Sequence, residues 1–340
     1  MTVGPRGDAK TMYVERLDLG SGGVQPIVSN PPAQSVATIG TFDGVHRGHQ
    51  VLIQETIQRS KQLGVASILI TFDPHPRAVL KGATDWAYLT PLKEKIDVLK
   101  TMGLDRLYII HFTPEVAALT PRDFIETFLL PLHIRHYVVG FDFRFGHKAS
   151  GRPEDLITDA HIGLTVVPPV SSMGMPQKVA SSTIREALQK GDVEQAHVLL
   201  GRPYRLRGLV IRGAGRGHTI GFPTANLLLT EPYVLPKSGV YAVRVQNSKG
   251  LSEDGETWLA VMNIGTKPTV EDHAPLSLEV HLLDYTGDLY GQDLQVTFLF
   301  RIRDEQRFSS IEALSAQIQK DVQFAKERYL WYTSLGSDKP

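Results

Sequence analysis

Two histidines at the end of a glycine-rich turn are the first groups in this chain whose spacing suggests chemistry. The turn Gly40–His49 reads GTFDGVHRGH and lies between the apolar run Val36–Ile39 and a helix-like stretch from Gln50 to Leu63. The first turn of a helix leaves backbone N–H groups unpaired at the positive end of the helix dipole, which attracts phosphate. His46 and His49 can reach the same anion from such a turn. The pattern therefore predicts a nucleotide phosphate site.

A zinc site is the main alternative for this pair of histidines. A His-x-x-His pair can supply two of the ligands of a tetrahedral zinc ion. The chain contains no cysteine, however, and its sequence offers no obvious second pair of ligands. Gly40, Gly44 and Gly48 remove side chains where the backbone must bend or let a ligand approach closely, which suits phosphate binding.

A second glycine-rich segment, GAGRGHTIGFPTAN, occupies residues 213–226. Glycines allow a loop to wrap a phosphate with its backbone N–H groups. No Gly-Lys-Ser/Thr sequence follows, so this is not a Walker-type loop. Thr224 and Asn226 are two residues apart and therefore share one side of an extended strand. Their hydroxyl and amide oxygens are ligands that suit magnesium.

The two segments resemble motifs of one known family. Residues 40–49 are similar to the histidine signature of the nucleotidyltransferase superfamily, in the form found in bacterial bifunctional riboflavin kinase/FAD synthetases, and GFPTAN at 221–226 resembles the riboflavin kinase motif. Residues 263–269, 289–291 and 301–303 follow in that family's order. The chain is identified as a member of this family by a resemblance that spans Val36 to Tyr329.

The resemblance implies two reactions that share one intermediate. The C-terminal domain is expected to phosphorylate riboflavin to FMN with Mg-ATP, and the N-terminal domain to transfer AMP from ATP to FMN, giving FAD and pyrophosphate. A nucleotidyltransferase with another acceptor stays open, because the histidine turn reports ATP and not the acceptor. A flavin-binding regulator without turnover also stays open, since Ala180-Ser181-Ser182 departs from the family's Ser-Ser-Thr.

Residue assignments in the N-terminal half follow from the resemblance. His46 and His49 are expected to contact the ATP phosphates during catalysis. Asp142, in the segment GFDFRFG, and His75, between two prolines, are expected to lie near the flavin. An aspartate after a strand is often a turn residue, and small hydroxyl residues often cap helices, so Asp142, Ser181 and Ser182 have structural alternatives. The expected nucleotide contacts are Gly40, Phe42, Asp43, Gly48, Ser181, Ser182 and Arg185.

Glu279 matches the position of the family's catalytic glutamate in the C-terminal half. A carboxylate beside the attacking hydroxyl can serve as the base of a kinase. Because Glu279 has apolar neighbours on a strand, we expect its side chain to face inward at a mouth of the barrel; the alternative is a glutamate on the solvent side. Thr224 and Asn226 are expected to bind nucleotide and magnesium, and Arg303 the flavin. The other expected nucleotide contacts are Gly215, Gly217 and Gly221.

The elements that must position these groups form two domains. Short apolar runs alternate with helical stretches, the last of them from Ser182 to Leu200, which predicts a Rossmann-like parallel sheet covered on both faces. The resemblance implies that this is an α/β nucleotidyltransferase domain. In such sheets ligands bind beyond the carboxyl ends of the strands. Between Tyr204 and Phe300 strand-like runs predict a small antiparallel β-barrel, followed by a helix from Ser310 to Tyr332. We therefore predict an adenylyltransferase domain at 1–200, including linker helices, and a riboflavin kinase domain at 201–340.

The composition limits the class of partner. Of 340 residues, 42% are hydrophobic and 21% charged, and Lys plus Arg equals Asp plus Glu at 36 each. This balance is typical of a globular protein and argues against a nucleic-acid partner. The lack of cysteine fits a reducing compartment, and no apolar stretch is long enough for a membrane span. We expect a cytoplasmic enzyme with small-molecule partners and leave open whether it forms a homo-oligomer.

Overall fold

A computed structural model describes residues 11–20, 26–82, 86–170, 178–212, 223–247, 256–266 and 276–334. The chain divides into two compact units, Met1–Ser181 and Ser182–Pro340. Within the described ranges, no helix combines the length and the apolar character that crossing a membrane requires.

The first unit is built on a six-stranded sheet in the order β1-β4-β3-β2-β5-β6. Every neighbouring pair in this sheet is parallel, so the carboxyl ends of all strands meet at one edge. The chain runs outward from β2 through β3 to β4 and then returns to the other side of β2 with β5. The strands are β1 Tyr13–Leu17, β2 Ser35–Ile39, β3 Ala66–Asp73, β4 Arg106–His111, β5 Ile134–Gly140 and β6 Gly163–Val167.

Both faces of this sheet are covered because its strands are apolar on both sides. Ile68 and Ile70 of β3 pack into one hydrophobic cluster, while Leu69 between them packs into a second cluster on the opposite face. The second cluster includes Ile53 and Leu99 from two of the covering helices. The helices of this unit are α1 Arg47–Leu63, α2 Pro76–Lys81, α3 Leu92–Lys100, α4 Pro114–Ala118 and α5 Pro121–Phe124, the last continuing as a π-helical turn, Ile125–Leu129.

A predicted single helix from Ser182 to Leu200 is two helices in the structure, α6 Ser181–Lys190 and α7 Val193–Leu200. Gly191 has φ +80°, a left-handed conformation that ends the first helix. The side chain of Asp192 then accepts a hydrogen bond from the N–H of Gln195 at 2.8 Å and caps the second.

The second unit contains a closed antiparallel barrel of six strands in the order β10-β11-β8-β7-β12-β9. A long C-terminal helix packs against its outside, where Ala325 joins Val240, Ala242, Val261 and Phe300 in a hydrophobic cluster. The predicted fold class is therefore confirmed in both halves. The elements are β7 Arg205–Ile211, β8 Ala225–Leu229, β9 Gly239–Asn247, β10 Thr257–Thr266, β11 Leu276–Leu282, β12 Asp293–Arg303 and α8 Ile311–Ser334.

Candidate active sites

The histidine turn lies where the order of the parallel sheet reverses. It connects β2 to α1, and the segment after β5 follows the neighbouring strand at the same edge. Crevices at such reversal points are where open α/β sheets bind ligands. His46 is the N-cap residue of α1, and its ring stacks on that of His49 with centroids 3.6 Å apart. The structure thus brings the two predicted histidines together at a helix N-terminus.

The cap of α1 also determines which nitrogen of His46 carries the proton. Nδ1 of His46 accepts a hydrogen bond from the backbone N–H of His49 at 3.3 Å. A nitrogen that accepts cannot carry the proton, so neutral His46 is assigned as the Nε2–H tautomer. The remaining ring donor is Nε2–H, which can donate to an anion at the helix start.

The backbone of this turn is strained, as is common at functional sites. Phe42 and Val45 have φ of +48° and +42°, and Gly44 has φ +92°. Gly48 is needed for another reason: a Cβ there would lie 3.2 Å from the His46 ring. A side chain at residue 48 would therefore require the His46 ring to shift by a few tenths of an ångström.

Buried polar groups anchor the turn from below. Oδ1 of Asp43 accepts hydrogen bonds from the N–H groups of Leu89 at 3.0 Å and Thr90 at 3.2 Å. The carbonyl of Thr41 accepts from the Lys95 ammonium at 2.7 Å. Burial lowers the pKa of Lys95, and the charges of Asp43 and of a second carboxylate, Asp73, oppose that shift. Sequence reasoning missed Lys95.

The predicted serines begin the helix at the boundary of the two units. The Ser181 hydroxyl donates to the carbonyl of Asp43 at 2.9 Å, which attaches this part of the chain to the histidine turn. Ser182 is exposed and Arg185 half-buried on the same helix, within the second unit. The predicted nucleotide contacts of Ser181, Ser182 and Arg185 stay predictions.

Asp142 lies just after β5 and is exposed. Its Oδ2 accepts a hydrogen bond from Lys178 at 2.9 Å, and the Lys178 ammonium lies 4.1 Å from the ring centroid of Phe141. Lys178 was not singled out in the sequence, because it precedes the segment at 180–185 and is not part of that motif. The expected role of Asp142 in flavin binding stays a prediction.

His75 caps the short helix α2 after β3. Its Nδ1 accepts from the N–H of Arg77 at 3.1 Å, and its ring stacks on Trp86 with centroids 4.7 Å apart. The backbone N–H of His75 donates to the Tyr88 hydroxyl at 3.2 Å. His75 therefore holds this segment together, and its flavin contact stays a prediction.

In the barrel, Glu279 of β11 lies directly between two asparagines of the neighbouring strands. The strand register pairs it with Asn226 of β8 on one side and with Asn263 of β10 on the other. Directly paired residues in antiparallel strands project from the same face of the sheet. Ser277 shares that face and donates a hydrogen bond to Glu279 at 3.0 Å.

This polar face is on the outside of the barrel, so the expectation that Glu279 faces inward is wrong. Leu278 and Val280 flank it and are only 4% and 0% exposed, whereas Glu279 is partly exposed. Because side chains alternate along a strand, the apolar neighbours fill the interior and the glutamate projects outward. The outer face is then the candidate kinase site.

A second carboxylate lies beside this face. A Cβ built on Gly265 would meet the carboxylate of Glu305 and lie 3.0 Å from Nδ2 of Asn263. Gly265 pairs with Ser277, and the residue two before it, Asn263, pairs with Glu279. Glycine thus leaves room for the Glu305 carboxylate at the edge of the candidate kinase site, a feature that sequence reasoning did not find.

The donor set on this face suits a magnesium ion. Asn226 supplies an amide oxygen opposite the carboxylate of Glu279, and Thr224 precedes β8 with a half-buried hydroxyl. Amide, carboxylate and hydroxyl oxygens are ligands of hard divalent cations. The predicted nucleotide contacts Gly215, Gly217 and Gly221 lie outside the described residues.

Arg303 is held in a bidentate ion pair with a carboxylate near the middle of α8. Its Nε and Nη2 donate to the carboxylate of Asp321 at 3.0 and 2.8 Å, and Nη1 donates to the Asp304 carbonyl at 3.0 Å. The two paired side chains are 16% and 4% exposed. These contacts attach α8 to the barrel, and the predicted flavin contact of Arg303 stays a prediction.

Comparison with known proteins matches the two halves of the chain to two different enzyme families. Residues 29–183 match the FAD synthetase family model, and residues 200–329 match the riboflavin kinase family model. Relatives described as bifunctional riboflavin kinase/FMN adenylyltransferase include one from Bacillus subtilis (strain 168), 40% identical over 88% of this chain and 94% of the relative. Another, from Listeria monocytogenes serovar 1/2a, is 39% identical over 85% of this chain and 90% of its own.

A solved structure shows a similar fold over almost the whole chain. It is a crystal structure described as a macrolide-efflux protein from Streptococcus pneumoniae. The TM-score is 0.82 at 30% identity, and the match covers 93% of this chain and 99% of that one. That description belongs to the other protein; what the two chains share is the fold.

Proposed function

This chain belongs to the bifunctional riboflavin kinase/FMN adenylyltransferase family, and from that membership we propose which residues carry each of its two reactions. The protein phosphorylates riboflavin with ATP to FMN and adenylylates FMN with ATP to FAD, releasing pyrophosphate. The two alternatives were an enzyme with another acceptor and a regulator without turnover. Both are set aside because relatives 39% and 40% identical, matched over 90% and 94% of their length, are named for both activities.

We propose that the histidine turn carries out adenylyl transfer. A phosphate oxygen of FMN bonds to the α-phosphorus of ATP while the bond from that phosphorus to the pyrophosphate oxygen breaks. Nε2–H of His46 and the ring of His49 donate to phosphate oxygens on which negative charge builds, and the N-terminus of α1 adds its dipole. The stack of His46 on His49, with centroids 3.6 Å apart, is the observation that supports this assignment.

Glu279 is the proposed base of the kinase reaction. Its carboxylate accepts the proton of the attacking riboflavin hydroxyl, that oxygen bonds to the γ-phosphorus of ATP, and ADP leaves. The position of Glu279 between Asn226 and Asn263 on one outer face supports this role. Ser277 orients the carboxylate through its 3.0 Å hydrogen bond.

Thr224 and Asn226 are the proposed holders of magnesium. When bound, the ion neutralises charge on the transferring phosphates. The other proposed contacts are those of the nucleotide with Gly40, Phe42, Gly48, Ser181, Ser182 and Arg185, and of the flavin with Asp142, His75 and Arg303. Removal of divalent metal with EDTA is expected to stop FMN formation, and added magnesium to restore it.

The division at 1–200 and 201–340 is retained as a proposal for where the two activities reside. A cytoplasmic location is also proposed, with the lack of cysteine in the chain as its support. Whether protomers associate can be measured by sedimentation of the full chain.

Reciprocal substitutions test the two assignments in one chain. Glu279→Gln is expected to abolish FMN formation from riboflavin and to leave FAD formation from supplied FMN intact. His49→Ala is expected to do the reverse. Chromatographic quantification of FMN and FAD measures both, and loss of both activities in either variant would count against two separate sites.

A further inference from the structure

Asp43 poses an electrostatic problem for a phosphate site. It lies in the middle of the histidine turn and is 2% exposed. Its Oδ1 holds the N–H groups of Leu89 and Thr90, so the carboxylate is a structural anchor of the turn. A buried carboxylate is nevertheless a negative charge, and in a low-dielectric interior it repels an approaching triphosphate more than a solvated one does.

Lys95 contacts the same turn two residues before Asp43 and has the opposite charge. It is 3% exposed on α3, and its ammonium donates to the Thr41 carbonyl at 2.7 Å. The hydroxyl of Thr71 donates to the same carbonyl at 3.1 Å. Burial lowers the pKa of Lys95, and its electrostatic interactions with Asp43 and Asp73 oppose that shift and favour the charged ammonium. A buried lysine needs such a partner, because taking its charge out of water is costly.

We propose that Lys95 is a positioning residue for adenylyl transfer, which fixes the histidine turn through Thr41 and cancels the charge of Asp43 so that the turn can accept a triphosphate. The proposal rests on the assignment of adenylyl transfer to this turn. It also changes the expected role of Asp43, from a contact of the nucleotide to an anchor whose charge must be balanced.

Substitutions can separate the effect of the Lys95 charge from the effect of its packing. Lys95→Met keeps most of the side-chain volume and leaves the carboxylate of Asp43 without this counter-charge. At an effective dielectric constant of about 20, one added net negative charge several ångströms from a triphosphate is expected to raise the KM for ATP by about tenfold or more. Adding Asp43→Asn removes the repelling charge but keeps the side-chain oxygen that accepts from Leu89 and Thr90.

The experiment measures the KM for ATP and kcat of FAD formation from FMN in four forms of the full chain. These are the wild type, Lys95→Met, Asp43→Asn and the double variant. Thermal unfolding of each form reports on folding of the unit that contains Lys95, and riboflavin kinase activity reports on the other unit of the same chain. Lys93→Met on the same helix, at an exposed position, is the matched control and should leave both activities unchanged.

Partial rescue is the expected result: the double variant has a KM for ATP closer to that of Asp43→Asn than to that of Lys95→Met. Additive losses in the double variant, or an unchanged KM in Lys95→Met, would overturn the proposal. If Lys95→Met loses both activities, recovery of FAD formation in the double variant supports the proposal, and failure to recover it overturns it. Retention of FAD formation in His49→Ala would instead overturn the assignment of the turn itself.

Discussion

Nδ1 of His46 accepts a hydrogen bond from the backbone N–H of His49 at 3.3 Å, so the imidazole that caps helix α1 is also the one proposed to donate to phosphate through Nε2. The two roles use different ring nitrogens. This separation allows the structural role to be kept while the chemical role is removed.

His46→Asn is expected to retain the cap and lose the chemistry. Asparagine is among the best N-cap residues, but its short side chain cannot also place a donor where Nε2–H lies. We expect FAD formation from FMN to fall about 100-fold, the order of magnitude for one lost donor to a developing charge. His46→Ala should in addition destabilise the start of α1 by about 1 kcal/mol. Steady-state rates and thermal unfolding of both variants check this, and a near-normal rate in His46→Asn would remove His46 from the reaction.

Gly48→Ala tests the stack of the two rings without altering either histidine. The added methyl group would lie 3.2 Å from the His46 ring, so the ring must shift by a few tenths of an ångström. We expect FAD formation to fall about tenfold, because small misplacements of positioning groups cost much rate. Gly64→Ala is the control: its φ of +66° makes it costly to stability by about 1 kcal/mol, yet a Cβ there meets nothing within 4 Å. Equal loss of FAD formation in both variants would point to instability as the cause.

Ser277→Ala tests how the carboxylate of Glu279 is oriented. Its hydroxyl donates to that carboxylate at 3.0 Å. Loss of a hydrogen bond to a charged group costs about 1.5–3 kcal/mol, so kcat for FMN formation should fall about 10- to 100-fold with little change in KM. Ser277→Thr keeps the hydroxyl and should restore most of the rate. An unchanged kcat in Ser277→Ala would show that the carboxylate needs no such support.

Asp321→Ala tests the ion pair that attaches α8 to the barrel. Removing one partner of a buried pair leaves the Arg303 charge uncompensated, which costs about 3–5 kcal/mol. Hydrogen exchange along residues 311–330 should accelerate accordingly. Lys326→Ala, which breaks the exposed pair of the same helix with Asp284, should change exchange little, because exposed pairs contribute little. Unchanged exchange in Asp321→Ala would contradict an anchoring role for Arg303.

Local signals in the sequence were sufficient to find the histidine turn. The turn, the N-cap and the helix are contiguous, so residue spacing alone brings His46 and His49 together. Lys95 could not be found in this way, because it lies 54 residues from Thr41 along the chain and a lysine on a helix usually faces solvent. Only tertiary packing places it under the turn.

Two other differences had signals in the sequence that were read incorrectly. Apolar residues on both sides of Glu279 indicate an outward carboxylate, because side chains alternate along a strand with a two-residue period; the expectation of an inward carboxylate overlooks this. The Gly191-Asp192 pair is a helix stop followed by a helix start, so the single predicted helix was two. Contacts such as that of Glu305 above Gly265 could not be predicted from the sequence, because they depend on how a loop folds back over the barrel.

Strand β11 is a point of vulnerability for the kinase half. Alternate side chains of this strand have different roles. Leu278, Val280 and Leu282 fill the barrel interior. Ser277 and Glu279 lie on the outer face, toward the proposed substrate. Sliding this strand by a single residue against Asn226 would exchange the two sets, emptying the interior and hiding the carboxylate in one step. Insertions or deletions in β11 should therefore be far more damaging than almost any substitution in it.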